Sequence, residues 1–245
     1  MTTDEELRRT WEEQQSVHKI DREQRFRVML DYVERIAGQP RRVLDLASGP
    51  GSVTRRVLAR FPSARVVAVD LDPLLLELAR GAFAGDERVT LLDRNLDDPD
   101  WYAGIDGSFD AVLSTTALHW LSPAAFTRVC SAIARLLRPG GVFANADHIL
   151  ISDERLRATA DEIHQHHLDT AFAAGAESCD EWYERAYAVP AYQHLQAERE
   201  RRFAHWSADL MQPATWHLQH LYDAGFRTAD VVWRHGNNAI TIAIA

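Results

Sequence analysis

The chain is poor in several things whose absence narrows its chemistry. Two cysteines, Cys130 and Cys179, stand far apart in 245 residues, so the pattern offers neither a disulfide framework nor a zinc knuckle and reads as two ordinary buried or half-buried thiols. No apolar run approaches the roughly 20 residues that cross a bilayer, and Met1 to Thr10 is acidic and polar where a secretory leader would be basic and then apolar. Net positive charge is also missing. At a formal −9 the chain has no general attraction for phosphate backbones or anionic membranes. These absences predict a cytoplasmic protein without nucleic-acid or membrane partners; a homodimer is left open.

Hydrophobic residues make up 46% of the chain, enough for one sizeable core with a modest elaboration. Their spacing divides the sequence. Phe26, Met29, Leu30, Val33 and Ile36 recur at helical intervals in a charged background that ends at Gly38, so residues 1–40 read as an N-terminal helical extension. From Arg42 onward short apolar runs alternate with amphipathic stretches. Strands are expected at 43–47, 65–69, 89–92, 109–113 and 141–146, with helices at 53–61, 74–83 and 124–137. Residues 152–206 contain no strand candidate and read as helical, divided near Pro190. A helix at 215–224 and strands at 227–234 and 239–244 follow, the last two joined through His235-Gly236-Asn237-Asn238 as a hairpin. The expected fold is α/β: a doubly wound, mostly parallel sheet with a C-terminal antiparallel hairpin and a helical insertion between strands five and six. Residues 41–150 and 207–245 form the core, and residues 151–206 the insertion.

The turn after the first strand reads Asp45-Leu46-Ala47-Ser48-Gly49-Pro50-Gly51. Glycines at a strand-to-helix turn let backbone approach a ligand closely. Nineteen positions after Gly51 stands Asp70, at the end of the second strand, where a carboxylate can accept from both hydroxyls of a ribose. A dinucleotide fingerprint would place a third glycine at Thr54, and a Gly-Lys-Ser/Thr phosphate loop is absent, which argues against nicotinamide, flavin and nucleoside triphosphates.

Val43 to Gly51, Asp70 and Leu136-Leu137-Arg138-Pro139-Gly140-Gly141 together resemble the successive motifs of the class I S-adenosylmethionine-dependent methyltransferases. The resemblance covers residues 41–150 and implies a Rossmann-like fold, S-adenosylmethionine as cofactor and methyl transfer to an acceptor. It implies that Asp45, Ala47, Gly49 and Gly51 hold the methionine part, that Asp70 holds the ribose, and that Leu71 packs on adenine. Asn95, where the family commonly has aspartate, and Leu96 complete the adenine side, while Ser114 and Thr115 after strand four face cofactor and acceptor. Ala47 replaces the usual first glycine of the turn and is expected to keep a negative φ.

Ser114 to Trp120 is not the Asp/Asn-Pro-Pro-aromatic sequence of enzymes that methylate nucleic-acid bases, and strand four lacks the carboxylate of a metal-dependent catechol site, so no metal is expected. A small-molecule acceptor follows, by O- or N-methylation, with carboxylates and natural-product hydroxyls in view. The wider similarity is to trans-aconitate-type methyltransferases. His119, His148 and Asp147 are the candidate catalytic residues, since segments leaving neighbouring strand ends converge. The insertion, with Trp182, Tyr183, Tyr187 and Tyr192, is expected to cap the acceptor; His164 and His167 read as a solvated helix face, and Arg199, Arg201 and Arg202 as a charged surface. A cofactor-binding sensor or a non-methylating enzyme is the alternative, with an aminopropyl transferase as a third option.

Overall fold

The computed structural model describes residues 3–205 and 211–245. Seven strands, β1 (Arg42–Leu46), β2 (Arg65–Asp70), β3 (Val89–Asp93), β4 (Phe109–Thr115), β5 (Leu137–His148), β6 (Thr228–His235) and β7 (Asn238–Ile244), form one sheet in the order β3-β2-β1-β4-β5-β7-β6. The first five are parallel; β7 runs antiparallel between β5 and β6. The mostly parallel sheet and the terminal antiparallel pair are as the sequence predicts.

The helices are α1 (Thr3–His18), α2 (Arg22–Ala37), α3 (Ser52–Arg60), α4 (Pro73–Ala82), α5 (Pro123–Leu136), α6 (Glu154–Ala173), α7 (Cys179–Tyr187), α8 (Gln193–Phe203) and α9 (Ala214–Asp223). Their starts are written in the sequence. Asp72 caps α4 ahead of Pro73, Ser122 caps α5 ahead of Pro123, and Ser178 with Glu181 forms a capping box on α7. Both faces of the sheet are covered. Val43, Val66, Ala111, Val142 and Ile240 meet Phe26, Met29, Val33 and Val57 of α2 and α3, while Leu44, Val112 and Phe143 meet Phe126, Val129 and Leu221 of α5 and α9.

Two expectations change. The N-terminal extension is two helices, broken between His18 and Arg22, with Asp21 in the left-handed region at φ 56°. The insertion's aromatics, expected to cap the acceptor, are packed against α1 and α4: Trp182, Tyr183, Tyr187 and Tyr192 meet Leu7 of α1 and Leu74, Leu75 and Leu78 of α4. Trp182 donates its indole N–H to the Thr10 hydroxyl at 3.0 Å. The α1 helix is thereby fixed across the C-terminal edge of the sheet, above the strand ends where ligands enter such folds. Pro190 divides α7 from α8 as expected, whereas the expected boundary at 206/207 lies outside the described residues.

Candidate active site

A cavity of about 510 Å³ opens at the C-terminal ends of β1, β2 and β4, between these strands, the α1–α2 junction and the insertion. Its floor contains two non-glycine residues in the left-handed region, Ala47 at φ 52° and Thr116 at φ 54°, which directly follow β1 and β4. The expected negative φ at Ala47 is therefore wrong. The chain must reverse sharply enough to put the Ser48 N–H on the Val69 carbonyl, at 3.0 Å, and the methyl side chain tolerates the strain that this requires.

The predicted cofactor residues divide into those that line the cavity and those that hold the lining in place. Ala47, Gly49, Asp70, Leu71, Leu96 and Thr115 line it. Asp45, Gly51, Asn95 and Ser114 do not. The Asp45 carboxylate accepts from the Thr54 N–H and hydroxyl at 3.0 and 2.6 Å, tying β1 to α3. At Gly51, φ is 87° and an added Cβ would lie 2.3 Å from the Phe83 ring, so glycine is a packing requirement there. The Asn95 oxygen accepts the Asp97 N–H at 2.9 Å instead of facing the cavity, and the Ser114 hydroxyl donates to the Leu46 carbonyl at 3.1 Å.

Asp70 is buried at the cavity wall. Its two oxygens accept the backbone N–H groups of Asp72 and Gly49, each at 2.7 Å, which locks the carboxylate while leaving each oxygen a further lone pair. Burial pushes it up to about 6, with the Asp72 charge adding to the rise and the backbone hydrogen bonds opposing it. Beside it the buried Ser48 hydroxyl has no partner among the described residues. A locked acceptor, an unsatisfied hydroxyl and flanking Leu71 and Leu96 fit a nucleoside: ribose hydroxyls on Asp70, a base between apolar side chains.

The opposite end carries different chemistry. His119 and Asp147 are brought together, as predicted: the imidazole Nδ1 lies 2.6 Å from Asp147 Oδ1, and the carboxylate also accepts the backbone N–H groups of His119 and His148 at 3.1 and 2.8 Å. Burial opposes its charge, but His119, His148 and those hydrogen bonds hold Asp147 well below the usual carboxylate range. An ionised carboxylate only accepts, so the His119 Nδ1 carries the hydrogen of this contact. His119 lines the cavity; Asp147 supports it from behind. His148 lies edge-on to the His119 ring, at 4.8 Å between centroids, outside the lining. Burial, with Lys19 adding, pushes His148 down to about 3, so its Nε2 accepts from the Lys19 ammonium at 3.1 Å.

Lys19, Arg22 and Arg25 were not among the predicted site residues, yet all three line the cavity. Arg22 is paired with Glu12. Arg25 is 3% exposed, donates to the Ala146 carbonyl at 2.7 Å, and its Nε has no partner among the described residues. Burial lowers Lys19 to about 8 and Arg25 to about 10, with Asp147 opposing the fall in both. Gln14 Nε2 and His18 Nε2 are likewise buried without partners among the described residues. One signal was present in the sequence: Arg22 and Arg25 fall in phase with Phe26, Met29 and Leu30, placing cations on the stripe that turns inward.

The charged-surface reading of α8 holds for Arg201 alone. Arg199 reaches the cavity and donates to Asp72 at 2.6 Å, while Arg202 donates to the Leu71 carbonyl at 2.8 Å and pairs with Asp93. His164 is half-buried rather than solvated, and His167 lies 3.1 Å from the Val17 carbonyl. No cluster of three or more potential metal ligands occurs among the described residues, and no described helix is long and apolar enough to cross a membrane.

Residues 43–141 match a family model described as a methyltransferase domain. Over 102 residues the chain is 43% identical to an uncharacterized methyltransferase of Mycobacterium tuberculosis, a segment covering 41% of this chain and 37% of that protein. It is 35% identical over 123 residues to trans-aconitate 2-methyltransferase of Deinococcus radiodurans, covering 49% of this chain and 44% of that one. The aligned parts thus span less than half the length of these relatives. An O-methyltransferase family protein from Burkholderia thailandensis has the same fold, with a TM-score of 0.56 at 20% identity over 95% of this chain and 62% of that one. The doubly wound core therefore defines a methyltransferase-type α/β protein. Within that class, residues 43–141 match the methyltransferase domain, the stretch that carries the motifs resembling those of class I S-adenosylmethionine-dependent methyltransferases.

Proposed function

We propose that the protein uses S-adenosylmethionine to methylate an oxygen of a small, anionic molecule. The cofactor supplies a methyl group on a sulfonium. In this reading Asp70 accepts from the ribose hydroxyls, Leu71 and Leu96 flank adenine, and the Ala47-Ser48-Gly49 turn receives the methionine part. The acceptor then occupies the end lined by Thr116, His119, Lys19 and Arg25.

The observation that carries the anionic acceptor is the charge count at that end. Arg22 is answered by Glu12, whereas Lys19 and Arg25 share Asp147 as their Coulombic carboxylate partner. Two half-buried to buried cations facing one carboxylate leave a positive excess that an acceptor carboxylate offsets, at short range and in a site of low dielectric. In-line displacement mainly needs alignment of acceptor, methyl and sulfur. For a hydroxyl acceptor His119 Nε2 takes the proton, with Asp147 fixing the ring; for a carboxylate acceptor no proton has to leave, and His119 only orients it. The trans-aconitate relative points to the same acid-bearing class. We place this chemistry in the cytoplasm, on a soluble substrate and not on nucleic acid.

The test is transfer of isotopically labelled methyl from S-adenosylmethionine to a panel of carboxylic acids, hydroxy acids, neutral phenols and amines. Label is expected on acid-bearing acceptors. Lys19→Met should then raise the acceptor KM by ~10-fold, the size of one exposed-to-half-buried charge contact, without changing affinity for S-adenosylhomocysteine. Transfer confined to amines or neutral phenols would sink the anionic reading, and a parallel loss of cofactor affinity would assign Lys19 to the methionine carboxylate instead.

A further inference from the structure

Three buried acids crowd the nucleoside end. Asp45 comes from β1, Asp70 from the end of β2, and Asp72 from the loop before α4; they are 1%, 8% and 3% exposed. Burial pushes Asp45 up to about 7, with the Asp70 charge adding to the rise. Like charges held this close in low dielectric cannot all ionise freely. Asp70 must nevertheless be ionised to offer lone pairs on both oxygens to two ribose hydroxyls.

Among the described residues, one cation bonds to this trio, and it comes from the insertion. Arg199 of α8 donates Nε–H to Asp72 Oδ2 at 2.6 Å, beside the Tyr183 hydroxyl on the same oxygen at 2.8 Å. The guanidinium lies over the Tyr183 ring, 3.9 Å from its centroid, and 4.9 Å from that of Phe203. The other oxygen of Asp72 caps α4, accepting from the Leu74 and Leu75 N–H groups at 2.9 and 3.1 Å. The Asp72 N–H in turn donates to Asp70 Oδ1. Arg199 is thus one residue removed from the ribose acid, linked to it by a rigid cap and a backbone hydrogen bond. The other charged groups near Asp70 do not substitute for it: Arg94 after β3 gives Asp70 only a backbone N–H to its carbonyl, and Arg202 is committed to Asp93 and Glu198.

We propose that Arg199 is a positioning residue for cofactor binding, which by neutralising Asp72 keeps Asp70 ionised and makes the ribose contact depend on the helical insertion. The proposal rests on the S-adenosyl reading of the cavity. It gives the insertion a role at the nucleoside end in addition to any part it plays over the acceptor. With Arg199 removed, Asp72 would stand buried and unpaired beside Asp70, and the proton that relieves the repulsion would settle on the pair, removing acceptor capacity where the ribose needs it.

The experiment is S-adenosylhomocysteine affinity by calorimetry between pH 5.5 and 8.5, each variant expressed relative to the wild type. Wild-type affinity should fall as pH drops through about 6, where Asp70 takes up a proton. In Arg199→Met the fall should begin roughly one pH unit higher, the low end of the shift from a lost neighbouring charge. Affinity at pH 7 should then drop about two-fold, with a larger drop at pH 6, and recover by pH 8.5. Arg199→Lys should keep most of the wild-type profile. Arg199→Met combined with Asp72→Asn, which preserves the α4 cap without the charge, should return the midpoint to the wild-type value. Asp70→Asn should lack the pH step. A pH-independent loss in Arg199→Met, or a midpoint that the added Asp72→Asn does not restore, would overturn the proposal and leave Arg199 as a packing residue. Absence of any S-adenosylhomocysteine binding by the wild type would be the distinct failure, that of the cofactor reading itself.

Discussion

The two ends of the cavity are built with opposite charge. Asp45, Asp70 and Asp72 gather at one end and are pushed up or neutralised; Lys19 and Arg25 gather at the other around the single carboxylate of Asp147. The acid end is made by the sheet and its loops, from residues close in sequence. The basic end is made by the α1–α2 junction, more than a hundred residues from the β5 terminus it touches. The difference separates two tasks. An excess of carboxylate suits neutral hydroxyl donors such as a ribose, while an excess of cation suits an anion, so one cavity can orient two ligands head to tail.

The largest break in this comparison is expected from Asp147→Asn. It leaves Lys19 and Arg25 without their shared counter-ion and turns an amide onto the backbone N–H groups of His119 and His148. Removing one partner of a buried charged set costs about 3–5 kcal/mol, a fall of roughly 10 °C in Tm for a chain of this size. Adding Lys19→Met restores the charge count and should recover part of the loss. Thermal unfolding of the single and double variants decides it; a single variant within ~0.5 kcal/mol of the wild type would show that Asp147 does not balance these cations.

How much of each end was legible follows from the same geometry. The acid end lies within one β-turn-α grammar: the apolar run into Ala47-Ser48-Gly49 and the acid that ends the next strand are local, and both line the cavity. Local reading still misplaced details that packing decides, such as the left-handed Ala47 and the Asn95 oxygen turned back on its own chain. The basic end was legible only in its His119–Asp147 pair, because strand ends converge by topology. Lys19 looks like a solvated charge until α2 is docked on the sheet, Arg25 is marked only by its phase with the apolar stripe of α2, and Arg199 meets Asp72 across 127 positions. No periodicity encodes that distance.

A smaller effect sharpens the electrostatic contrast. Burial pushes His148 down to about 3, with Lys19 adding, and pushes His217 down to about 4. Both stay neutral in the folded state at pH values where the unfolded chain protonates them. The unfolded state therefore binds more protons below about pH 6.5, and stability declines as pH falls from there toward 4, by up to about 1.4 kcal/mol per pH unit for each histidine. His148→Gln should flatten that decline in denaturant titrations at pH 7, 6 and 5 while leaving the acid-end profile of cofactor affinity in place. An unchanged slope would mean that His148 is protonated beside Lys19 and that the basic end tolerates a further charge.

The smallest expected effect compares the two strained floor residues, one for each end. Ala47 follows β1 at φ 52° beneath the nucleoside end, and Thr116 follows β4 at φ 54° beneath the basic end. Left-handed backbone costs a residue with a Cβ about 1 kcal/mol, and glycine is free of that cost but loses more entropy on folding. At Ala47 little packing is lost with the methyl group, so Ala47→Gly should be neutral or stabilise the fold by up to ~1 kcal/mol. At Thr116 the β-branched side chain is strained more, yet its hydroxyl is within reach of the Arg25 guanidinium, at 3.5 Å. Thr116→Gly therefore exchanges strain relief for a weakened hold on the cation, and should gain less stability than its counterpart while raising the KM for an anionic acceptor. Denaturant midpoints and acceptor KM of the two variants, measured side by side, separate the contributions. A clear destabilisation by Ala47→Gly would show that the turn is held by its side chain, and that the strain at the nucleoside end is smaller than its φ angle implies.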